Sequence, residues 1–407
     1  MIEWTKEKII DNFLVTDFVA NGSFASLKEN VSYLKERDYA ILVRTTDNTK
    51  GWNGKYVFVS KDSYEFLKKS SLKPNDLIIA NVGDPGKAFL CPDLKQPMTL
   101  GPNSILVRSL NENKINNKFF YFYTTSKIGQ AQIEFICSAT AQKKFNKTSY
   151  RNIEIPLPPL DQQKKIAAIL DAADAYRQKT KALITKYDEL TQSLFLELFG
   201  DPVRNPKGWE VSFLKQITTK IGSGATPRGG KQAYKKEGVS LIRSMNVYDN
   251  MFKYKNLAFI DEEQAAKLKN VIVEKGDVLF NITGASICRS SVVPNDVLPA
   301  RVNQHVSILR PIKSIITSKF LSRFLISKNV KTKLLGVGSG GGAVMEAITK
   351  EQLQNIEVIV PPLDIQNQFA DSVQAIETQK AQAQASLAQA EDLFNSLLQR
   401  AFKGELV

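Results

Sequence analysis

Asn152-Ile-Glu-Ile-Pro-Leu-Pro-Pro-Leu-Asp161-Gln-Gln-Lys-Lys-Ile166-Ala167 occurs a second time, as Asn355-Ile-Glu-Val-Ile-Val-Pro-Pro-Leu-Asp364-Ile-Gln-Asn-Gln-Phe369-Ala370. The copies align without a gap at an offset of 203, at which Asn152, Pro158, Pro159, Leu160, Asp161, Gln163, Ala167, Ala182, Leu190, Ser193, Leu194 and Phe199 all recur. A repeat of this kind decides the architecture before any local reading does. Each copy opens about forty residues of helix-forming sequence.

The repeat extends outward into the segments before each helix. Ser240-Leu-Ile-Arg243 matches Val43-Arg44, and Lys275-Gly-Asp277 through Gly284 matches Pro74-Asn75-Asp76 through Gly83. Gln304 through Arg310 matches Pro102 through Arg108, and Phe320 through Lys328 matches Phe119 through Lys127. The whole chain therefore reads as a tandem duplication: globular region 1–151, helical segment 152–201, globular region 202–354, helical segment 355–407. In the first globular region, β-branched and aromatic runs predict strands at 39–43, 55–60, 77–80 and 105–108, with a turn at 73–76. A helix is predicted over 119–126 and a short one around 28–35.

After Pro158-Pro159, Asp161 occupies the expected N-cap, and Gly200-Asp201-Pro202 is a stop signal. Apolar residues recur every three or four positions, which predicts a coiled-coil seam through Ile166, Ile169, Leu183, Tyr187, Leu190 and Leu194. The second copy supplies Phe369, Ile376, Leu387, Leu393 and Leu397. A rod of about 38 residues is roughly 57 Å long, and one with a single apolar stripe needs a partner. Tyr176 and Tyr187 in one copy, against Ala383 and Ala390 in the other, favour pairing between the two copies. The expected fold class is α+β: two similar globular α/β domains separated by two long helices packed as an antiparallel coiled coil, in a pseudo-two-fold tandem repeat.

Composition narrows the function. Hydrophobic content of 43% and charged content of 24% in 407 residues suit ordinary packed cores. No apolar run approaches the roughly 20 residues of a membrane span. The opening Met1-Ile-Glu-Trp-Thr-Lys-Glu-Lys8 lacks a signal-peptide core, so the expectation is a cytoplasmic protein without a membrane partner. Three scattered cysteines, Cys91, Cys137 and Cys288, fit neither a disulfide framework nor a zinc site. The single histidine, His305, leaves little room for His-based catalysis. A net charge of +14 favours a polyanionic partner.

Two small-residue loops stand out. Ser223-Gly-Ala-Thr-Pro227-Arg228 is followed by Gly229-Gly230-Lys231, a setting in which backbone N–H groups approach phosphate closely; its glycine spacing is not that of a nucleotide P-loop. The second runs from Gly336 to Ala343. Arg reads guanine and Asn or Gln reads adenine in the major groove, while Lys and Arg on phosphates set position. The candidate DNA-contacting residues are Arg44, Asn81, Lys87, Arg108, Lys143, Lys144 and Lys147 in the first region. In the second they are Thr226, Arg228, Lys231, Arg243, Asn281, Thr283, Arg289, Arg301, Asn303 and Gln304, with Arg310 in the same basic group. The Pro-Pro pairs precede Leu160 and Leu363, so the Asn/Asp-Pro-Pro-aromatic tetrapeptide of an adenine methyltransferase is missing. No convincing metal-dependent nuclease carboxylate set occurs either, so no catalytic or metal-binding residue is assigned.

In this combination the chain resembles the specificity subunits of type I restriction–modification systems. The resemblance rests on the Pro-Pro-Leu-Asp-x-Gln openings at 158–163 and 361–366, on Ser223–Pro227, Lys275–Val278 and Val302–Gln304, and on the closing Ala401-Phe-Lys-Gly-Glu-Leu406. The first region departs most, lacking a Gly-rich Thr-Pro loop in its opening forty residues. The resemblance implies two target-recognition domains that each read half of a bipartite duplex site, and two helices that fix the spacer and dock two modification (methyltransferase) subunits. Restriction subunits would join them. S-adenosylmethionine, ATP and Mg would be bound by those partners, and this chain would bind no cofactor. Two other readings stand beside it: a methyltransferase or nuclease with its own activity, and a coiled-coil assembly adaptor that reads no sequence.

Overall fold

The structure, a computed structural model, describes residues 4–138, 142–227, 230–337 and 347–406, with the side chains of 231 and 337 outside the description. The chain divides into two compact units: Met1–Ala182 with Gln384–Val407, and Leu183–Ala383. The division cuts each long helix near its middle, so each unit holds one part of both.

Both units carry the same two four-stranded sheets. In the first, a four-stranded antiparallel sheet runs in the order Phe13–Asp17, Ser104–Ser109, Leu77–Ala80, Ala88–Leu90. The second unit repeats this order with Thr218–Ser223, Val306–Pro311, Val278–Asn281 and Ser290–Val292. A second sheet has the order Val57–Val59, Ala40–Val43, Met98–Leu100, Ser71–Leu72, with its two central strands parallel. Its counterpart is Ala258–Ile260, Val239–Ile242, Ala300–Val302, Ile272–Val273. A two-stranded pair (Lys6–Lys8 with Glu154–Pro156; Glu210–Phe213 with Glu357–Val360) ties the start of each region to the stretch before its long helix.

Alternation along the strands builds the layers. Leu77, Ile79, Ile105 and Val107 face helix Asn117–Thr125 and the long helices, whereas Ile78 and Leu106 meet Ile41, Val43 and Leu100 of the other sheet. In the second unit Val278 and Phe280 face helices and Leu279 faces the other sheet. Strands covered on both faces are apolar throughout, hence Leu-Ile-Ile-Ala80 and Val-Leu-Phe-Asn281.

The long helices span Leu160–Phe199 and Leu363–Phe402. Each begins one residue before its Asp. The Pro159 carbonyl accepts from the Gln163 amide, so Asp161 lies within the first turn and favours the helix dipole there; it is not the N-cap. Gly200, at φ +77°, ends the first helix as its position implies.

Within each unit the two helices run antiparallel. In the first, Arg177 lies over the Phe394 ring and Lys181 pairs with Glu391 at 3.0 Å. In the second, Lys380 pairs with Asp188, and Phe195 and Phe199 pack edge-on to Phe369. The seam differs in part from the expected one. Ile166 and Phe369 are fully buried, and Leu194 and Leu397 pack against the cores. Tyr187, Ile376 and Leu387 are half-buried. Ile169, Leu183, Leu190 and Leu393, however, are 38–55% exposed. Thr180 and Thr191 are buried instead, their hydroxyls returned to the carbonyls of Tyr176 and Tyr187. That back-bonding lets a polar side chain sit in a helix contact, which periodicity of apolar residues alone passes over. The expected helix at 28–35 forms earlier, at Phe24–Asn30, because Ser23 caps it by accepting from the Ser26 amide.

The Gln of the repeated motif has a structural task. Gln163 is fully buried; its Oε1 accepts from the Asn116 amide, and its Nε2 donates to the carbonyls of Lys114 and Pro158. Gln366 does the same with Thr317, Ile315 and Pro361. Each long helix is thereby fastened to the N-terminus of its unit's aromatic helix.

Candidate nucleic-acid interface

In the second unit three turns meet at one rim. Strand Thr218–Ser223 runs on into Gly224, whose amide donates to the Asn303 carbonyl; a Cβ at Gly224 would lie 1.8 Å from the Val302 oxygen. Only glycine lets this loop lie against the turn between strands Ala300–Val302 and Val306–Pro311. The Thr226 hydroxyl donates to Gln304 Oε1 at 2.5 Å, orienting the exposed amide. Thr283 bonds His305 Nδ1 at 2.6 Å, and the Ile282 amide donates to the His305 carbonyl. The structure thus brings together Thr226, Thr283, Asn303 and Gln304, four of the residues picked from sequence. It adds His305, whose ring partner Thr283 lies 22 residues away in the chain.

Two of these candidates work from inside. Asn303 is buried and its Oδ1 accepts from the His305 amide. Asn281 is fully buried, and its Nδ2 donates to the carbonyls of Ser244 and Val247. Both side chains are buried, unlike exposed Gln304, and brace the rim from within. Arg310 is also committed internally, forked onto Asp277 at 2.8 and 2.9 Å and to the Ile272 carbonyl, and the Asp277 carboxylate holds its guanidinium above its ordinary pKa. Arg108 repeats the fork on buried Asp76 and donates to the Ser71 carbonyl. Arg301 bonds the carbonyls of Ala300 and Ala265, and burial lowers its pKa. Arg243 reaches the Asn256 carbonyl and stacks on Tyr234. Arg228 and the Lys231 side chain lie outside the described residues, as does most of the glycine-rich loop beginning at Gly336.

The first unit builds its rim from other residues. Arg44 forks onto buried Asp47 at the start of helix Thr45–Thr49. The Asn81 amide donates to the Asn103 carbonyl, and its Nδ2 to that of Phe145. The Lys87 ammonium donates to Thr49 Oγ1, Lys143 pairs with Glu134 and Lys147 with Asp17. Lys144 is exposed, its backbone paired with Val82. Asp17–Gly22 takes the place of the Gly-Ala-Thr-Pro loop, in keeping with the weaker motif match there.

Among the described residues no group of three His, Cys, Asp or Glu could hold a metal ion. Burial pushes the Cys91 thiol up to about 12 and that of Cys288 up to about 11, far from thiolate reactivity. No described helix is long and apolar enough to cross a membrane.

A family model described as the type I restriction modification DNA specificity domain matches residues 15–191 and again 206–391. The chain belongs to this family. Its two matched spans coincide with the duplicated fold, and specificity subunits are the non-catalytic members of their complexes. The chain is 25% identical to the type I restriction enzyme EcoBI specificity subunit of Escherichia coli, over 96% of this chain and 85% of the relative. It is 26% identical to a putative type I restriction enzyme MjaX specificity subunit of Methanocaldococcus jannaschii, over 92% and 87%. A solved type I restriction–modification S subunit from M. genitalium shares the fold, with a TM-score of 0.58 at 17% identity over 98% of this chain and 96% of that one.

Proposed function

We propose that this specificity-family chain is the sequence reader of a type I restriction–modification complex, each unit reading one half of a bipartite duplex target. The observation that carries this is the duplication of both four-stranded sheets in the same strand order, with different side chains at equivalent rims. One fold written twice with divergent edges suits two half-sites of unrelated sequence. In this reading the long helices set the spacer and dock two modification subunits, with restriction subunits joining them. S-adenosylmethionine, ATP and Mg belong to those partners, this chain binds no cofactor, and the complex works in the cytoplasm. Docking is supported by Ile169, Tyr176, Leu183 and Leu190, spaced seven apart on the first helix and all at least 38% exposed. An apolar stripe at heptad spacing is what another helix packs against.

The test is base-modification sequencing of a host that expresses the neighbouring methyltransferase gene with and without this chain. The expected result is methylation of a split motif of two short half-sites, only when the chain is present. Chain-independent methylation, or none from an assembled complex, refutes the reading. The docking part is checked by Leu183→Asp/Leu190→Asp, expected to abolish copurification of the modification subunit while leaving the melting temperature unchanged. Retained copurification would remove the stripe from the interface.

A further inference from the structure

One difference between the two rims is a hairpin in the second unit. At equivalent places, each unit turns sharply between two strands of its first sheet. The Gly86 amide donates to the Ala80 carbonyl and the Ala80 amide to the Lys87 carbonyl; Cys288, Asn281 and Arg289 repeat the pattern. Gly86 has φ +93° and Cys288 φ +63°, so the same left-handed residue precedes the basic one in both. Cys288 adopts it without glycine's freedom, a conformation uncommon for a side-chain-bearing residue. Lys87 and Arg289 are therefore counterparts, projected by one turn.

What they meet is different. Lys87 reaches Thr49, on the short helix Thr45–Thr49. In the second unit that position is taken by a hairpin, Val247–Tyr248 paired with Met251–Phe252, which has no counterpart among the described residues of the first. Asn281 fastens it, in the position that Ala80 holds in the first unit. The staple is present where the hairpin is present. On the hairpin, Tyr248 lies between two cations: Lys253 Nζ is 3.6 Å from its ring centroid and the Arg289 guanidinium carbon 4.3 Å. Among the described residues neither cation has a carboxylate within ion-pair distance, and the neighbouring Asp249 is taken by Lys331 at 2.6 Å. Two cations gathered on one ring without an anion repel each other, and backbone phosphates seated one beside each cation would relieve that repulsion.

We propose that Arg289, Lys253 and Tyr248 form a seat for one stretch of DNA backbone phosphate that only the second unit possesses. This rests on the DNA-reading function above. Arg289 leaves the same turn that carries Thr283, so a duplex lying on the Thr226–Gln304 rim brings its backbone alongside. The second unit then holds DNA more firmly than the first and more independently of sequence, since phosphate contacts position without specifying.

The experiment measures binding of the full-length chain to short random-sequence duplexes across a salt series. Each neutralised phosphate contributes about 0.9 to the slope of log affinity against log salt. Arg289→Gln/Lys253→Gln is expected to reduce that slope by about 1.8, equally on every duplex sequence, and Lys87→Gln by about 0.9. Lys253→Gln alone changes an exposed side chain and is expected to lose about 0.9 with an unchanged melting temperature. An unchanged slope in the double variant, with wild-type binding intact, overturns the phosphate seat and leaves the reader standing. A loss confined to particular sequences also overturns it, because that marks a base contact. Absence of salt-dependent duplex binding by the wild-type chain removes the DNA-reading function and this seat with it.

Discussion

Replacing Gln366 by alanine tests how the second long helix is fastened to its unit. The side chain is fully buried and makes three hydrogen bonds, from the Thr317 amide at 2.8 Å and to the carbonyls of Ile315 and Pro361 at 3.1 and 2.8 Å. Each such bond contributes about 1 kcal/mol net, and stranding a buried donor or acceptor costs about 1–3 kcal/mol. Water entering the vacated space recovers part of this. The expected destabilisation is therefore about 3 kcal/mol, a large share of the 5–15 kcal/mol typical of a folded domain. For a unit of this size it corresponds to a fall of roughly 6–12 °C in the melting transition. Scanning calorimetry of the full chain measures it, and Gln163→Ala, with the same three bonds in the first unit, is the internal duplicate. A loss below about 1 kcal/mol in both variants would show that the Gln of the motif is not the fastening.

Two further outcomes follow from packing. Gly224→Ala places a methyl 1.8 Å from the Val302 oxygen and must lift the loop that carries Thr226. A destabilisation of about 1–3 kcal/mol with weakened duplex binding is expected, and wild-type behaviour in both would mean the loop does not lie on this turn. Phe369→Ala opens the cluster formed with Phe195 and Phe199 and is expected to cost about 3–5 kcal/mol in urea denaturation; a loss near zero would remove this contact from the helix pairing.

The duplicated plan was legible because it needs only identity at a fixed offset, and the short central strands because both of their faces are buried and apolar. Strand Phe13–Asp17 carried a readable alternation, Phe13 and Val15 inward and Leu14 outward, but five residues inside a mixed segment are a short signal. The face of the long helices was harder. Two apolar stripes run side by side on the first, and which one is buried depends on the partner: Ala383 and Ala390 leave room, while threonines enter the seam by bonding their own backbone. At the rim, residue type pointed to Thr226, Thr283 and Gln304, yet could not separate an exposed side chain from one that packing takes up. Asn281 and Arg108 have the right chemistry for DNA and spend it on Ser244, Val247 and Asp76, choices made by long-range packing. The Tyr248 hairpin had a local mark, Asp249-Asn250 between apolar residues, with Asn250 at φ +54°.

The way the units share the two long helices bears on the order of events during synthesis. The second unit is one uninterrupted piece, 183–383, and can close as soon as that piece has left the ribosome. The first must wait: Phe394, Leu398, Ala401 and Phe402 fill its core, and they are made after the whole of the second unit. Until they arrive, Phe119 and Tyr123 lack their ring contact with Phe402, and Phe122 lacks its contact with Phe394. A nascent chain halted at 383 would therefore carry a finished downstream half behind an upstream half still open, the reverse of the usual N-terminal-first order of domain folding.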